Sequence, residues 1–293
     1  MKRKGLNRPT FFDVILAVLL ILFCATVILP FVHLLAVSLS GKAVLIRGEV
    51  SLWPKDFTLS NYKDFLGSKA FNFFRAYRNT LFITVVGTAL SLTTTAMAAY
   101  ALSRRKMVGH GIFSAMITVT MFFGGGMIPT YMLVSSLGLM DTLWSMILPS
   151  MISTWNLIIM RSFFVAYPRE VVESGYLDGL TDAGVFFRLV LPTSKAALAT
   201  IGLYYAVGFW NSYMSARLYI REPDLQPVQM VLQNVVQNYA AGLATNVNAD
   251  ETSLVAQSIQ ACAILLTILP IMCVYPFIQK YFVKGVMVGS IKG

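Results

Sequence analysis

Charge is scarce in this chain: Asp, Glu, Lys and Arg together make up 12% of its 293 residues, against 57% hydrophobic ones. A water-soluble domain charges about a quarter of its residues to cover its surface, so most of this surface has lipid as its solvent. Cysteine is nearly absent. Cys24, Cys262 and Cys273 all fall inside apolar stretches and form no CxxC pair, which excludes a disulfide framework and a thiolate zinc site and leaves them as small packing residues. The two histidines, His33 and His110, lie at opposite ends of apolar runs, too far apart for joint acid–base work. No apolar run holds a carboxylate near its middle; Asp13 and Asp141 sit at the ends, so a proton-coupled relay lacks its usual group. No GxxxxGK[ST] loop occurs, and the chain is expected to bind no ATP of its own.

What is present is length in apolar runs. A helix needs about 20 such residues to cross roughly 30 Å of hydrocarbon. Six stretches qualify: about 12–37, 79–103, 111–135, 143–166, 196–220 and 253–279. The formal charge of +10 is gathered in short clusters beside these runs, a pattern that sets membrane orientation rather than nucleic-acid binding. With the N-terminus inside, the inner segments carry Lys2, Arg3, Lys4 and Arg8, then Arg104-Arg105-Lys106, then Arg169, Arg188 and Lys195, and last Lys280, Lys284 and Lys292. The segment 41–78, with seven basic and three acidic residues, falls outside against this trend; Trp53-Pro54 and Phe71, Phe73 and Phe74 suit it to interfacial packing. The first apolar run is too long for a cleaved leader and lacks a small-residue cleavage site, so it is expected to stay as a span. Both termini are then cytoplasmic, and the fold class is an all-α integral membrane protein.

Pro30, Pro129, Pro149, Pro270 and Pro276 interrupt these runs, and Gly124-Gly125-Gly126 marks the third. Such breaks are tolerated where a neighbouring helix or a cavity satisfies the freed backbone groups. Both a packed kink and a break lining a transport path fit.

Between the fourth and fifth runs, residues 167–195 read as two short helices meeting at a corner. Pro168 suits a first helical turn and Gly179 the left-handed end of that helix. Asp182 can cap the second helix and Pro192 close it. Phe186, Phe187, Leu189 and Val190 give the second helix an apolar face, while Glu170 and Glu173 lie on the first. The result is an amphipathic elbow, which as such could be an ordinary interfacial loop.

The elbow's residues resemble the Glu-Ala-Ala…Gly…Pro motif of the membrane subunits of binding-protein-dependent ABC importers. Glu173 stands for the Glu, Gly179 for the Gly and Pro192 for the Pro, while Ser174 and Gly175 replace the two alanines. Trp210-Asn211 is similar to the Trp-Asn pair of the carbohydrate-uptake, maltose-permease-like group. The stretch Tyr275-Pro276-Phe277-Ile278-Gln279-Lys280-Tyr281-Phe282-Val283-Lys284-Gly285 resembles that group's C-terminal signature. Gly126-Met127-Ile128-Pro129-Thr130-Tyr131 resembles a subgroup that imports alginate-type and aldouronate oligosaccharides. The resemblance runs from about residue 10 to the end.

It implies a type I importer permease fold with six transmembrane helices in one domain, 1–293, in the bacterial cytoplasmic (inner) membrane. It implies as partners a second homologous permease subunit, two ABC ATPase subunits that hold the ATP and Mg, an extracytoplasmic solute-binding protein, an oligosaccharide substrate and lipid. No nucleic acid, no metal and no cofactor bound by this chain is expected, and the chain itself is not an enzyme. Glu170, Glu173, Asp178, Gly179 and Pro192 would form the cytoplasmic coupling contact to an ATPase. Trp210, Asn211 and Tyr213 would line the sugar path, or form an interfacial aromatic belt. The tail 280–293, through Met287, Ile291, Lys292 and Gly293, would reach the ATPase dimer. A secondary transporter or channel is the alternative, and an integral-membrane enzyme a further one; neither accounts for the elbow.

Overall fold

A computed structural model describes residues 11–68, 71–245, 257–274 and 276. Among the described residues the chain is helical, with a single isolated β-bridge between Ser40 and Phe57. It divides into two compact units, one from Met1–Phe71 with Leu232–Thr267 and one from Asn72–Val231 with Ile268–Gly293.

The first unit holds α1 (Phe11–Ser38), α2 (Lys42–Ile46) and α3 (Ser60–Gly67). Helix α1 runs unbroken through Pro30. Its side chains are exposed over nearly all of its length, Phe11 at 80% and Ile21 and Phe23 at 67%. Apolar exposure on this scale is costly in water and ordinary in hydrocarbon. The end of α1 is tied by Asn61, which is buried and uses both ends of its amide. Its Nδ2 donates to the Ser38 and Ser40 carbonyls at 3.1 and 2.9 Å, and its Oδ1 accepts from Ser258 Oγ at 3.3 Å. Cys262 is buried in this unit; Cys24 and Cys273 are exposed, and all three thiols are free.

The second unit is built on α4 (Phe73–Ser103), which begins six residues before the apolar run expected at 79. Then follow α5 (His110–Phe122), α6 (Met127–Ser136), α7 (Trp144–Ile147), α8 (Thr154–Val165), α9 (Arg169–Leu177), α10 (Asp182–Thr193), α11 (Lys195–Trp210) and α12 (Tyr213–Tyr219). Two further helices, Val228–Thr245 (α13) and Gln257–Val274 (α14), fall mostly within the residues of the first unit. Helix α4 packs on α11 and α8 around Ile83, Ala96, Ala99, Met160, Ile201 and Tyr205. Small residues let the backbones approach: a Cβ at Gly87 would lie 2.9 Å from the Phe209 ring. Tyr205 Oη shares a hydrogen bond of 2.7 Å with Thr95 and accepts the Ser153 N–H at 2.9 Å.

Helices α1, α4 and α14 are long and apolar enough to cross a bilayer, and two bent pairs would do so if each counts as one span. The apolar run at 111–135 is one of these pairs: α5 and α6 meet at 116° across Gly124-Gly125-Gly126. Pro129 sits in the first turn of α6, where it breaks nothing, so the glycines make the corner. The run at 143–166 is three pieces, because Pro149 lies in a 3-10 turn, Leu148–Ser150, between α7 and α8. Helix α8 has 12 residues and at 1.5 Å each is about 18 Å long, short of a bilayer by itself.

Candidate functional site

The elbow is α9 and α10. Helix α9 starts after Pro168, which stands just outside it, with Glu170 in the first turn, where a carboxylate complements the helix dipole. It ends in a Schellman turn. The Leu180 N–H reaches back to the Gly175 carbonyl at 2.9 Å and the Gly179 N–H to the Tyr176 carbonyl at 3.0 Å. Gly179 occupies the left-handed position with φ +79°, a conformation that costs other residues about 1–2 kcal/mol.

The cap of α10 is Thr181 rather than Asp182: Thr181 Oγ1 accepts the Gly184 N–H at 3.3 Å. Asp182, one residue on, instead receives the Tyr176 hydroxyl in a short hydrogen bond that latches the two helices together. That bond, with burial adding to it, pushes the Tyr176 phenol up to about 12. At Gly175, one of the positions where the family motif has alanine, a Cβ would lie 2.7 Å from Leu189 Cδ1. The two helices touch there.

Helix α10 does not close at Pro192 as a simple helix. Residues Phe186–Val190 form a π turn, with the Leu191 N–H bonded to the Phe186 carbonyl, and the helix ends at Thr193. Proline at 192 has no N–H for the Arg188 carbonyl and its ring would strike that carbonyl in an α-helix; the wider turn makes room. The buried side of the π turn seats the elbow. Phe186 packs against Tyr100 of α4 at 4.8 Å between ring centroids and edge-on to Phe164 of α8 at 6.4 Å. Tyr100 and Phe164 meet edge-on at 6.1 Å. This aromatic trio fixes the elbow to two long elements, and α10 then joins α11 at 82°.

The sequence-expected coupling residues fall together on this elbow. Glu170, Glu173, Asp178, Gly179 and Pro192 are all exposed, and among the described residues none of these carboxylates forms an ion pair. Leu177, 89% exposed at the tip, was not singled out by sequence, although an apolar residue just before the Gly179 corner was the available signal. The tail residues Met287, Ile291, Lys292 and Gly293 lie outside the described residues, as does most of the C-terminal signature.

The three path candidates are not brought onto one surface. Trp210 is buried, edge-on to Tyr77 at 5.8 Å, and its Nε1 has no hydrogen-bond partner. Asn211 is exposed where α11 ends, its Nδ2 donating to the Val207 carbonyl at 3.0 Å and its Oδ1 accepting from Gln229 at 3.2 Å. Tyr213 is half-buried at the start of α12. Nearby, a cavity of about 310 Å³ is lined by Ser150, Ser153, Asn156, Tyr204, Tyr205 and Ser212, among others, and by no charged side chain. Its hydroxyls and amide come from three separate helical regions, which spacing along the chain does not reveal.

Just past α12, Asp141 Oδ1 accepts the Arg221 and Glu222 N–H groups at 2.5 and 3.0 Å. Those two backbone bonds, Arg221 first, lower its pKa below the usual carboxylate value. Arg221 also donates to Tyr131 Oη at 3.1 Å, and Tyr131 stacks with Tyr219 at 6.4 Å.

An all-helical chain with several bilayer-length helices and an exposed, stiff elbow fits the membrane subunit of a transporter. No protein-family model matches it, but known proteins do. It is 43% identical over 270 residues to Protein LplC of Bacillus subtilis (strain 168), covering 92% of this chain and 90% of that protein. It is 37% identical over 288 residues to the polygalacturonan/rhamnogalacturonan transport system permease protein YtcP of the same organism, covering 96% of this chain and 98% of YtcP. A crystal structure of a bacterial ABC transporter involved in the import of the acidic polysaccharide alginate contains a chain that superimposes with a TM-score of 0.83 at 31% identity, over 96% of this chain and 100% of that one. The chain belongs to the family of ABC transporter permeases of the sugar-uptake group, and is an integral membrane protein.

Proposed function

We propose that the chain is one of two transmembrane subunits of an ATP-driven importer in the bacterial inner membrane. It has six spans, one more than the three unbroken helices and two bent pairs that length and apolarity pick out, and both termini in the cytoplasm. The cargo is an oligosaccharide containing uronate, handed over by a solute-binding protein outside. Two relatives support the acidic cargo: one named for polygalacturonan and rhamnogalacturonan transport and one for alginate import.

The observation that carries the coupling role is the elbow's construction. A Schellman turn, a Tyr176–Asp182 latch and an aromatic seat on α4 and α8 make it a rigid body. It presents Glu170, Glu173, Asp178 and Leu177 outward. A rigid body held in a cleft of an ATPase subunit turns when that cleft moves, and α10 passes the motion to α11, a bistable rigid-body mechanism. The ATP and Mg stay with the ATPase subunits; this chain supplies no phosphate loop.

The polar cavity beside α11 suits sugar hydroxyls. Serine, asparagine and tyrosine exchange hydrogen bonds with hydroxyls, and about 310 Å³ is at the small end of ligand sites. The test is ATPase activity of the reconstituted complex across neutral and uronate oligosaccharides, each with binding protein. Stimulation by uronate oligosaccharides, abolished by Glu173→Ala while the complex still assembles, is expected. Stimulation by neutral sugars alone would remove the acidic cargo, and full stimulation in Glu173→Ala would remove the coupling role.

A further inference from the structure

A larger cavity, about 1110 Å³, lies between the elbow and the turn that follows α4. Its charge is lopsided. Arg104, Arg105, Lys106, Arg161 and Arg169 line it, with His110, against two carboxylates, Glu173 and Asp182. Asp182 is already engaged by the Tyr176 hydroxyl. Among the described residues the ion pairs involve Lys42, Arg47, Lys55 and Arg75, so none of the five cations in this cavity is neutralised by a carboxylate of the described chain.

Two of the guanidiniums are held in place. Arg104 lies over the Tyr100 ring at 4.5 Å and donates to Tyr100 Oη at 2.6 Å, yet its Nε is buried with no partner. Arg161 Nε donates to the Leu102 carbonyl at 3.0 Å, and its Nη2 lies 3.4 Å from His110 Nε2. Fixed, uncompensated cations with a spare donor are a receptor for an oxyanion.

The lip of the cavity is apolar. Met97 and Val165 line it while 43% and 59% exposed, and Val108 in the turn after α4 and Ile112 in the first turn of α5 are 92% and 75% exposed. Cations below and lipid-facing carbon above occur together where a bilayer's headgroups meet its acyl chains. We propose that this cavity binds the headgroup phosphate of an anionic phospholipid, with the acyl chains leaving past Met97 and Val165. An acidic protein surface would meet the cations equally well but has no use for the apolar lip. Basic pockets between membrane helices commonly serve anionic headgroups.

The test counts lipids retained by the delipidated full-length chain in native mass spectrometry, titrated with phosphatidylglycerol or phosphatidylcholine. One phosphatidylglycerol should persist where phosphatidylcholine is lost, with a preference of tenfold or more. Arg105→Gln with Arg169→Gln, both exposed positions, should erase that preference. Arg105→Lys with Arg169→Lys should keep most of it, and Lys63→Gln, outside the cavity, should leave it intact. Equal retention of the two lipids, or an unchanged preference in the double glutamine variant, overturns the proposal. So does displacement of the lipid by an equal concentration of inorganic phosphate, which would make the occupant a free anion. Expulsion of the lipid on adding ATPase subunits overturns it as well, assigning the cations to an acidic protein face.

Discussion

Two corners in the second unit turn the chain sharply, and they are built in opposite ways. At the elbow, Gly179 is flanked by reciprocal backbone hydrogen bonds, Thr181 caps the next helix, Tyr176 latches onto Asp182, and Phe186 is seated between Tyr100 and Phe164. At Gly124-Gly125-Gly126 the described residues supply less: Thr130 Oγ1 donates to the Gly126 carbonyl at 2.8 Å, and no ring or latch joins the two helices. A Cβ at Gly124 or Gly125 would meet nothing within 4 Å, α6 has no side-chain cap, and Phe122, Phe123 and Ile128 around the corner are at least 70% exposed. One corner is clamped by its own contacts; the other depends on what surrounds it. A part that transmits force must resist bending, whereas a glycine corner in lipid can change its angle with little internal loss.

The largest expected effect comes from unclamping the elbow. Gly179→Pro removes the N–H that bonds Tyr176 and forbids φ +79°. Strain of this kind costs of order 1–3 kcal/mol, so sugar-stimulated ATPase and transport should fall by roughly tenfold or more while membrane insertion is retained. Transport at the full rate would show that the clamp does not matter.

Alanine distinguishes the corners more finely. Gly175→Ala drives a methyl against Leu189, a clash of about 1–3 kcal/mol offset by about 1 kcal/mol of helix propensity, so the helix pair should loosen by about 1 kcal/mol, seen as faster proteolysis within 167–195 and weaker stimulation. Gly124→Ala with Gly125→Ala meets open space and gains helix propensity of about 1 kcal/mol per position. Assembly should then be unchanged and only the rate of transport altered. Equal loss of assembly from both variants would erase the contrast drawn between the corners.

The smallest effect belongs to Tyr176→Phe. The folded phenol is raised to about 12, so its bond to Asp182 is fully present below the ordinary tyrosine value near 10 and is lost as pH rises through about 12. At neutral pH the latch is intact, and because Tyr176 is 42% exposed its removal should cost below about 1 kcal/mol. Phenolate absorbance of wild type minus variant should show one tyrosine titrating near 12; a difference centred near 10 would mean no latch.

Local chemistry made part of this legible in sequence. The apolar run of α1, the left-handed Gly179 and the small residue at 175 follow from rules that act within a few residues. Boundaries moved where neighbours compete: Thr181 rather than Asp182 caps α10, because the Asp182 carboxylate is taken by Tyr176. Trp210 beside Asn211 suggests a sugar-facing pair, but in the helix the indole turns into the packing against Tyr77 while the amide faces out. The aromatic seat was not legible, since its members stand 22 to 86 residues apart, nor was the polar cavity, which joins 150–156 to 204–215; both form only when the helices pack.

The π turn at Phe186–Val190 has a consequence for timing along the chain. Each residue of an α-helix advances the side chains by about 100°, so one residue held in a wider turn sets the rotational phase between everything before it and everything after. The seat on Tyr100 fixes the phase of α10 at Phe186, and the turn then fixes which side of α11 faces α4. Deleting Arg188, an exposed residue of that turn, would take away the room that Pro192 needs and index α11 out of mesh with the elbow, as a gear slips by one tooth.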